Sequence, residues 1–368
     1  MIKKLLTFIL LQCVMSVAFA ANYLTFTAEE AGSKFGILNS EDNDPDVQYS
    51  LDDGATWTVL KPGERVELKN VGDKALLKGN NPDGFSTAFE HDREYFYDYT
   101  QFIMRGKIAA SGSVMSLVDG EGSSVKIPSN GCFYRLFSTC TALTKAPELP
   151  ATTLRNQCYQ EMFYDCTSLK KAPELPATKL FPGCYMFMFY FCENLIESPD
   201  LPATEFFKEY SGDASRFLPC YGGMFAKCRS LTKIKVNITD WGESYVVRKG
   251  EFDWNTSGWV ADVASSGTFI CPKALTVKYG EDRIPKVWTI KYIDENTRVN
   301  DAVASVTTVW TEGNTIYVRG AESDVEVYDM LGRLIVSKRG GQGNIQISIP
   351  QKGIYVVKVG TETHKVEL

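Results

Sequence analysis

The most reactive side chains in this sequence are its cysteines, ten in all. Eight of them fall in four Cys-x7-Cys pairs: Cys132/Cys140, Cys158/Cys166, Cys184/Cys192 and Cys220/Cys228. Thiolates ligate zinc, but zinc sites draw their ligands from shorter spacings, and Cys-x7-Cys is a poor match. Nucleophilic or acid–base catalysis needs a convergent set of groups. The two histidines, His91 and His364, stand far apart with no serine or cysteine motif around them. Neither a Gly-x-Gly-x-x-Gly loop nor a P-loop occurs, so the chain reads as one that binds rather than catalyses. Asp42, Asp44 and Asp46 alternate, and alternating oxygens can ring Ca2+. Counting from Asp42, the sixth position is Val47 where such a loop needs glycine, and a solvated acidic turn is the plainer reading.

Binding chemistry has better candidates. Glu148, Glu174 and Asp200 hold one position between two prolines, in Ala-Pro-Glu-Leu-Pro-Ala-Thr (146–152), its identical copy (172–178) and Ser-Pro-Asp-Leu-Pro-Ala-Thr (198–204). Stacked strands lie about 4.8 Å apart, so these carboxylates form a column whose repulsion needs an offset. Lys145 and Lys171, three residues before the first two acids, are the expected counter-charges; Glu197 breaks the pattern in the third copy. The column is either a solvated mixed-charge face or a docking stripe for a basic partner or a cation. Tyr95, Tyr97 and Tyr99, with Phe96 and Phe102, form an aromatic cluster suited to stacking on a sugar ring or to packing between strands.

The elements that position these residues follow from the repeat. The first three cysteine pairs start 26 residues apart, and the fourth is delayed by an insertion at Lys208–Phe217. Self-similarity at this period marks stacked units that share a core. Leu136, Met162, Met188 and Met224 lie four residues after each first cysteine, and Phe137, Phe163, Phe189 and Phe225 lie five after it. This spacing fits one stripe of a short helix. The Leu-x-x-Ala-Pro-x-Leu-Pro that follows reads as an extended segment, because its prolines exclude a long helix. Across a helix, i and i+8 are about 12 Å apart, beyond disulfide reach. Disulfides between units remain open, as do buried free thiols acting as small apolar residues. Met162-Phe163-x-x-Cys166-x-x-Leu169 and its counterparts resemble the BspA-like leucine-rich repeats of Bacteroidetes surface proteins, over residues 129–240. The resemblance implies a solenoid that presents a binding surface.

Met1–Ala20 has the layout of a secretory signal: Lys3 and Lys4, an apolar run over Leu5–Val17, and an Ala18-Phe19-Ala20 cleavage pattern. The mature chain then begins at Ala21, keeps nine cysteines and contains no transmembrane segment. Without Lys3 and Lys4 its net charge is −8 (37 basic, 45 acidic residues). No Lys/Arg block stands out, so nucleic acid is not an expected partner. Residues 21–128 read as an N-terminal β domain, with a hairpin of Val47–Leu51 and Thr56–Leu60 around 52–55. Ser50-Leu51-Asp52-Asp53-Gly54-Ala55-Thr56-Trp57 is similar to the Asp-box of sialidase propellers. It occurs once, without the arginine cluster and nucleophilic tyrosine of such enzymes, and is read as a hairpin motif. The repeats and a C-terminal cap around Trp254, Trp259 and Trp288 occupy 129–293, a linker 294–301, and a further β domain 302–368. In that last domain Val327-Tyr328-Asp329-x-x-Gly332-Arg333-Leu334, Lys352-Gly353-Ile354-Tyr355 and the final His364-Lys365-Val366 resemble the C-terminal sorting domain of the type IX secretion system of Bacteroidetes. That resemblance implies export to the cell surface.

Together these readings describe an α/β leucine-rich-repeat solenoid flanked by an N-terminal all-β domain and a C-terminal Ig-like β-sandwich. The expected function is secreted or cell-surface, non-enzymatic recognition of a host or bacterial surface protein or glycan, with no cofactor unless Ca2+ binds. The alternative is a glycan-handling enzyme or its carbohydrate-binding accessory module.

Overall fold

The computed structural model describes residues 21–293 and 308–368, apart from 41, 92–93, 208–217, 243–244, 247–251 and 254 in the first stretch and 313, 320–322, 330–331, 340–343 and 360–361 in the second. The expected signal (1–20), the linker (294–301), the insertion (208–217) and Trp254 lie outside the described residues. Two compact units form, Met1–Tyr292 and Ile293–Leu368. Strand makes up 34 % and helix 1 %, which overturns the α/β leucine-rich-repeat solenoid. Among the described residues the repeats contain no helix at all.

The helical reading fails because a spacing of four has a second structural solution. Each Cys-to-Cys segment is a run of tight turns in which every fourth residue is left-handed. These are Gly131, Arg135 and Thr139 (φ 67°, 57° and 60°), then Gln157, Glu161 and Asp165 (57°, 56° and 56°), then Gly183, Phe187 and Phe191 (62°, 54° and 61°), and finally Gly223 and Lys227 (57° and 64°). Right-handed helices exclude that conformation. Between these positions the N–H groups alternate in direction. Leu136 donates within its coil to the Phe133 carbonyl (3.3 Å), whereas Phe137 donates to Met162 of the next coil (2.9 Å) and Thr139 to Tyr164 (2.7 Å). Phe163 to Met188, Phe189 to Met224 and Phe225 to Trp259 repeat the step at 2.9, 2.9 and 2.8 Å. A helix keeps its interior N–H groups to itself; here alternate ones tie coil to coil. Gly131 also lies where a side chain has no room, since a Cβ would sit 2.7 Å from the Ala88 nitrogen.

The apolar positions all enter one core. Phe102, Phe137, Phe163, Phe189 and Phe225 stack with successive ring centroids 5.4, 5.5, 5.6 and 5.8 Å apart. A second column runs Phe133, Tyr159, Tyr185, Tyr221 and Trp259, at 5.9, 6.0, 6.1 and 6.2 Å. Burying each such ring stabilises the unit by about 1.5–3 kcal/mol. The nine described cysteines are buried and unbonded to one another, so of the two alternatives the free thiol is the one present. The second cysteine of each pair has a fixed partner. The Sγ atoms of Cys140, Cys166, Cys192 and Cys228 donate to the carbonyls of Phe102, Phe137, Phe163 and Phe189, at 3.1, 3.1, 3.0 and 3.0 Å. Each thiol therefore joins its own coil to the preceding phenylalanine.

Strands flank the coils and close their ends. The first part of the chain supplies β1 (Leu24–Ala28), β2 (Ser33–Asn39), β3 (Gln48–Ser50), β4 (Thr58–Val59), β5 (Val66–Leu68), β6 (Lys74–Lys78), β7 (Thr87–His91), β8 (Glu94–Asp98), β9 (Thr100–Arg105), β10 (Ile108–Ser111) and the single-turn helix α1 (Ser116–Asp119). The repeats add β11 (Leu143–Lys145), β12 (Glu197–Leu201), β13 (Lys233–Val236), the short pair β14 (Tyr245–Val246) and β15 (Phe252–Asp253), β16 (Thr268–Cys271) and β17 (Thr289–Tyr292). One sheet has the order β11-β10-β1-β6-β3-β4, with β10 and β11 parallel, so the N-terminal strands run directly into the first repeat. The Phe102 N–H bonds the Leu136 carbonyl at 2.8 Å, and the two regions share one core. At the far end Trp259 covers Tyr221 and Phe225.

The repeats differ in whether their extended segments pair. The fourth repeat, free of proline at Lys233–Val236, forms the centre of a parallel sheet β12-β13-β16-β17. In the second repeat Pro173 and Pro176 flank Glu174; no strand forms there, and only a bridge from Lys171 to Glu197 remains. Proline lacks the N–H a ladder requires, but the third repeat, with Pro199 and Pro202 at the same positions, forms β12 all the same. One sheet ends at β11 and the next begins at β12.

The second unit is all strand: β18 (Thr308–Glu312), β19 (Thr315–Arg319), β20 (Val325–Asp329), β21 (Leu334–Lys338), β22 (Asn344–Ser348), β23 (Ile354–Val359) and β24 (Glu362–Glu367). Sheets β18-β19-β22 and β21-β20-β23-β24 enclose one core that includes Ile316, Val318, Val327, Ile347 and Val357. The Asp329-x-x-Gly332-Arg333 motif is the β20–β21 turn. Gly332 has φ 76°, and the Asp329 carboxylate accepts from the Arg333 backbone N–H (3.0 Å) and Nε (2.7 Å).

Candidate functional site

The interruption between β11 and β12 leaves a groove of about 370 Å3 over residues 145–150 and 171–176. Its floor is the buried Ala146, Pro147, Ala172 and Pro173, and the exposed Lys145, Glu148, Lys171 and Glu174 stand around it. Small-ligand sites span roughly 300–1,000 Å3 and pair an apolar lining with a few placed polar groups. The groove therefore brings together four of the charged candidates from the two identical heptapeptides.

The expected pairing of those charges is corrected. Among the described residues neither Lys145 nor Lys171 makes an ion pair, and Glu174 makes none either. Along an extended chain residues three apart are about 10 Å apart, too far for a direct pair. Neutralisation occurs between coils instead, and further along the stack. Lys233 pairs with Glu197 at 3.1 Å and Lys235 with Asp200 at 2.8 Å. Asp200 is thereby removed from the open acid column, leaving Glu148 and Glu174. Glu148 accepts one hydrogen bond, from Asn22 Nδ2 at 2.7 Å.

The tyrosine cluster lies apart from this groove and is engaged in packing. Tyr97 stacks on Tyr134 of the first coil (3.9 Å, 17°), and Tyr99 meets the same ring edge-on (5.4 Å). The Tyr97 hydroxyl accepts from Gln157 Nε2 and donates to Gln160 Oε1 (3.4 Å). The Arg135 guanidinium lies 5.2 Å from the Tyr134 ring and bonds Glu161 at 2.6 Å. Burial, with Glu161 nearby, raises the Tyr134 hydroxyl pKa. These contacts clamp Tyr97 and Tyr99 to the repeats and cover one face of the Tyr97 ring. The side chain of Tyr95 lies outside the described residues.

The other candidates are also placed. Asp46 is held by Gln48 Nε2 (3.1 Å) and the Asn80 N–H (3.0 Å), while Asp42 and Asp44 are exposed. Among the described residues no group of three His, Cys, Asp or Glu side chains is arranged to hold a metal ion. The Asp-box forms a self-contained turn. Asp52 accepts from Ser50 Oγ (2.7 Å), the Thr56 N–H (2.8 Å) and Thr56 Oγ1 (2.6 Å), and these bonds hold its carboxyl at about 2. Trp57 packs on Tyr23, 5.0 Å between centroids, beneath Lys78. One feature escaped the sequence reading: a half-buried cluster on the turn side of the coils, where Tyr164 stacks on Tyr190 (5.1 Å) next to Phe187 and Phe191. Tyrosine six residues after the first cysteine in two successive repeats was the available signal.

Two of three comparisons with known proteins are empty: no curated protein and no solved structure gives a significant match. The family model for the secretion system C-terminal sorting domain matches residues 310–367. It does not reach the repeats, and the BspA-like resemblance of residues 129–240 gains nothing from it. Among the described residues no helix is long and apolar enough to cross a membrane. The matched segment coincides with the sandwich of the second unit, whose Asp-x-x-Gly-Arg turn and β23, entered through Lys352-Gly353, carry the motif. The chain thus ends in a type IX sorting tail, which marks it for secretion to the outer cell surface.

Proposed function

We propose that the protein is a non-enzymatic recognition protein of the outer cell surface, and that the groove over 145–150 and 171–176 is where it takes its partner, a surface protein or glycan. The observation that carries this reading is the gap between the two sheets. It exposes an apolar floor two repeat segments long, bordered by four charges that the protein leaves without ion pairs among the described residues. Such charges contribute little to stability and are available to a ligand. The Asp-box does not favour the glycan-handling alternative, since its carboxylate is consumed by its own turn. The test is to display the secreted chain on protein and glycan arrays and to repeat the experiment with Lys171→Glu/Glu174→Lys. Recognition should be lost in that variant while delivery to the surface and the far-UV spectrum stay unchanged. Retained recognition would move the site out of the groove.

A further inference from the structure

We propose that the groove's ligand is an extended polypeptide segment with alternating acidic and basic side chains, its acids facing Lys145 and Lys171 and its bases facing Glu148 and Glu174. This rests on the groove being the binding site. Two rows of charge border the groove. Equivalent residues of neighbouring coils lie about 4.8 Å apart, and like charges at that distance repel. The third and fourth repeats remove the problem internally: Glu197 pairs with Lys233, and Asp200 pairs with Lys235. The first two repeats keep two lysines in one row and two glutamates in the other, with no ion pair among the described residues.

A ligand of one sign would satisfy one row and be repelled by the other, which is how a mixed site excludes it. A zwitterionic strand satisfies both. The rows are three residues apart along each coil, about 10 Å, which leaves room for one extended chain lying between them along the stack. In such a chain alternate side chains point to opposite sides, and residues two apart are about 6.6 Å distant, within reach of flexible lysine and glutamate side chains. The proline floor offers few N–H donors, so the segment is held by its side chains and by apolar contact rather than as an added strand.

The probe is a fluorescein-labelled octapeptide of alternating glutamate and lysine, titrated against the secreted chain at low salt by anisotropy. Octalysine, octaglutamate and a block octapeptide, its glutamates all preceding its lysines, serve as comparators. The alternating peptide should bind at least ten-fold more tightly than either single-sign peptide. Lys145→Glu/Lys171→Glu should weaken it at least ten-fold and shift preference to octalysine. Adding Glu148→Lys/Glu174→Lys exchanges the two rows and should restore alternating-peptide binding, a rescue that a misfolded variant would not give. Octalysine binding as tightly as the alternating peptide, or alternating-peptide binding unchanged in the first variant, overturns the assignment. Binding of a glycan that the row variants abolish, with no charged peptide bound, overturns the peptide assignment and leaves the groove as the site. Binding of every ligand unchanged in the variants overturns both.

Discussion

Thr139 separates the turn-built coil from a helical one by the sign of a stability change. It is exposed, with φ 60°, its N–H bonded to the Tyr164 carbonyl (2.7 Å) and its own carbonyl accepting from Thr141 (2.8 Å). A left-handed residue with a Cβ costs roughly 1–2 kcal/mol, and a β-branched one is at the unfavourable end. Thr139→Gly removes that cost and keeps both backbone bonds, while the extra freedom of glycine in the unfolded chain takes back about 0.5–1 kcal/mol. The net expectation is a gain of about 1 kcal/mol. Thr139→Ala retains the Cβ and should change little. In a helix the order is reversed, because alanine there is more stable than glycine by about 1 kcal/mol. Urea unfolding of wild type and the two variants, followed by tryptophan fluorescence and far-UV circular dichroism, reads the difference as a shift in midpoint at constant slope. Glycine above alanine supports alternating turns; alanine above glycine would refute the coil geometry described here.

Phe163 is fully buried between Phe137 and Phe189, so Phe163→Ala should cost about 3–5 kcal/mol; a loss below about 1 kcal/mol in urea unfolding would contradict the stacked column. Burial pushes Cys132 and Cys158 up to about 12 and raises Cys140, Cys166, Cys184, Cys192 and Cys228 as well. Above pH ~9 the unfolded chain releases these protons and the folded chain keeps them, so stability falls as pH rises, by about 1.4 kcal/mol per pH unit per thiol. Seven thiols give a slope on the order of 10 kcal/mol per unit; under reductant the first unit should unfold between about pH 9 and 11, and stability flat to about pH 11 would mean the thiols are not held protonated. Native protein should likewise resist iodoacetamide at about pH 8 until denatured, in mass spectrometry of the labelled chain. Finally, deleting residues 310–367 should keep the protein from the outer surface in protease-shaving of intact cells; surface delivery without the tail would show that another segment directs it.

What the sequence could and could not reveal divides along a physical line. The contents of the core were readable, because cysteine, leucine or methionine, phenylalanine and cysteine recur at the same positions whatever backbone carries them. The backbone was not, since offsets of 0, 4, 5 and 8 fit a helical stripe and a chain of four-residue turns alike. The distinguishing sign was faint. Glycine precedes Cys132 and Cys184 by one residue and follows Cys220 by three, all at left-handed positions, but Arg135, Gln157, Glu161 and Phe187 occupy equivalent places without glycine's signature. Those residues are tolerated because the inter-coil hydrogen bonds at alternate N–H groups, each contributing about 1 kcal/mol net, offset the strain.

The same division explains the groove. Its four charges were evident from the heptapeptide copies, and so was the like-charge problem. The solution was not, because it depends on neighbours in the stack rather than along the chain: Glu197 meets Lys233 in the parallel β12–β13 pairing, and a shift of register there sets Asp200 beside Lys235. Proline content does not settle which repeats pair: Pro199 and Pro202 hold the same positions in the third repeat, which still forms β12 and pairs with β13, whereas the second repeat, with Pro173 and Pro176, forms no strand. A groove arises where paired strands would otherwise close the surface. Replacing Pro173 and Pro176 with valine supplies two ladder N–H groups and should extend the β12 sheet toward β11 and narrow the groove, read as slower amide exchange at residues 171–176. Exchange as fast as in wild type would show that something other than the missing N–H groups keeps the two sheets apart.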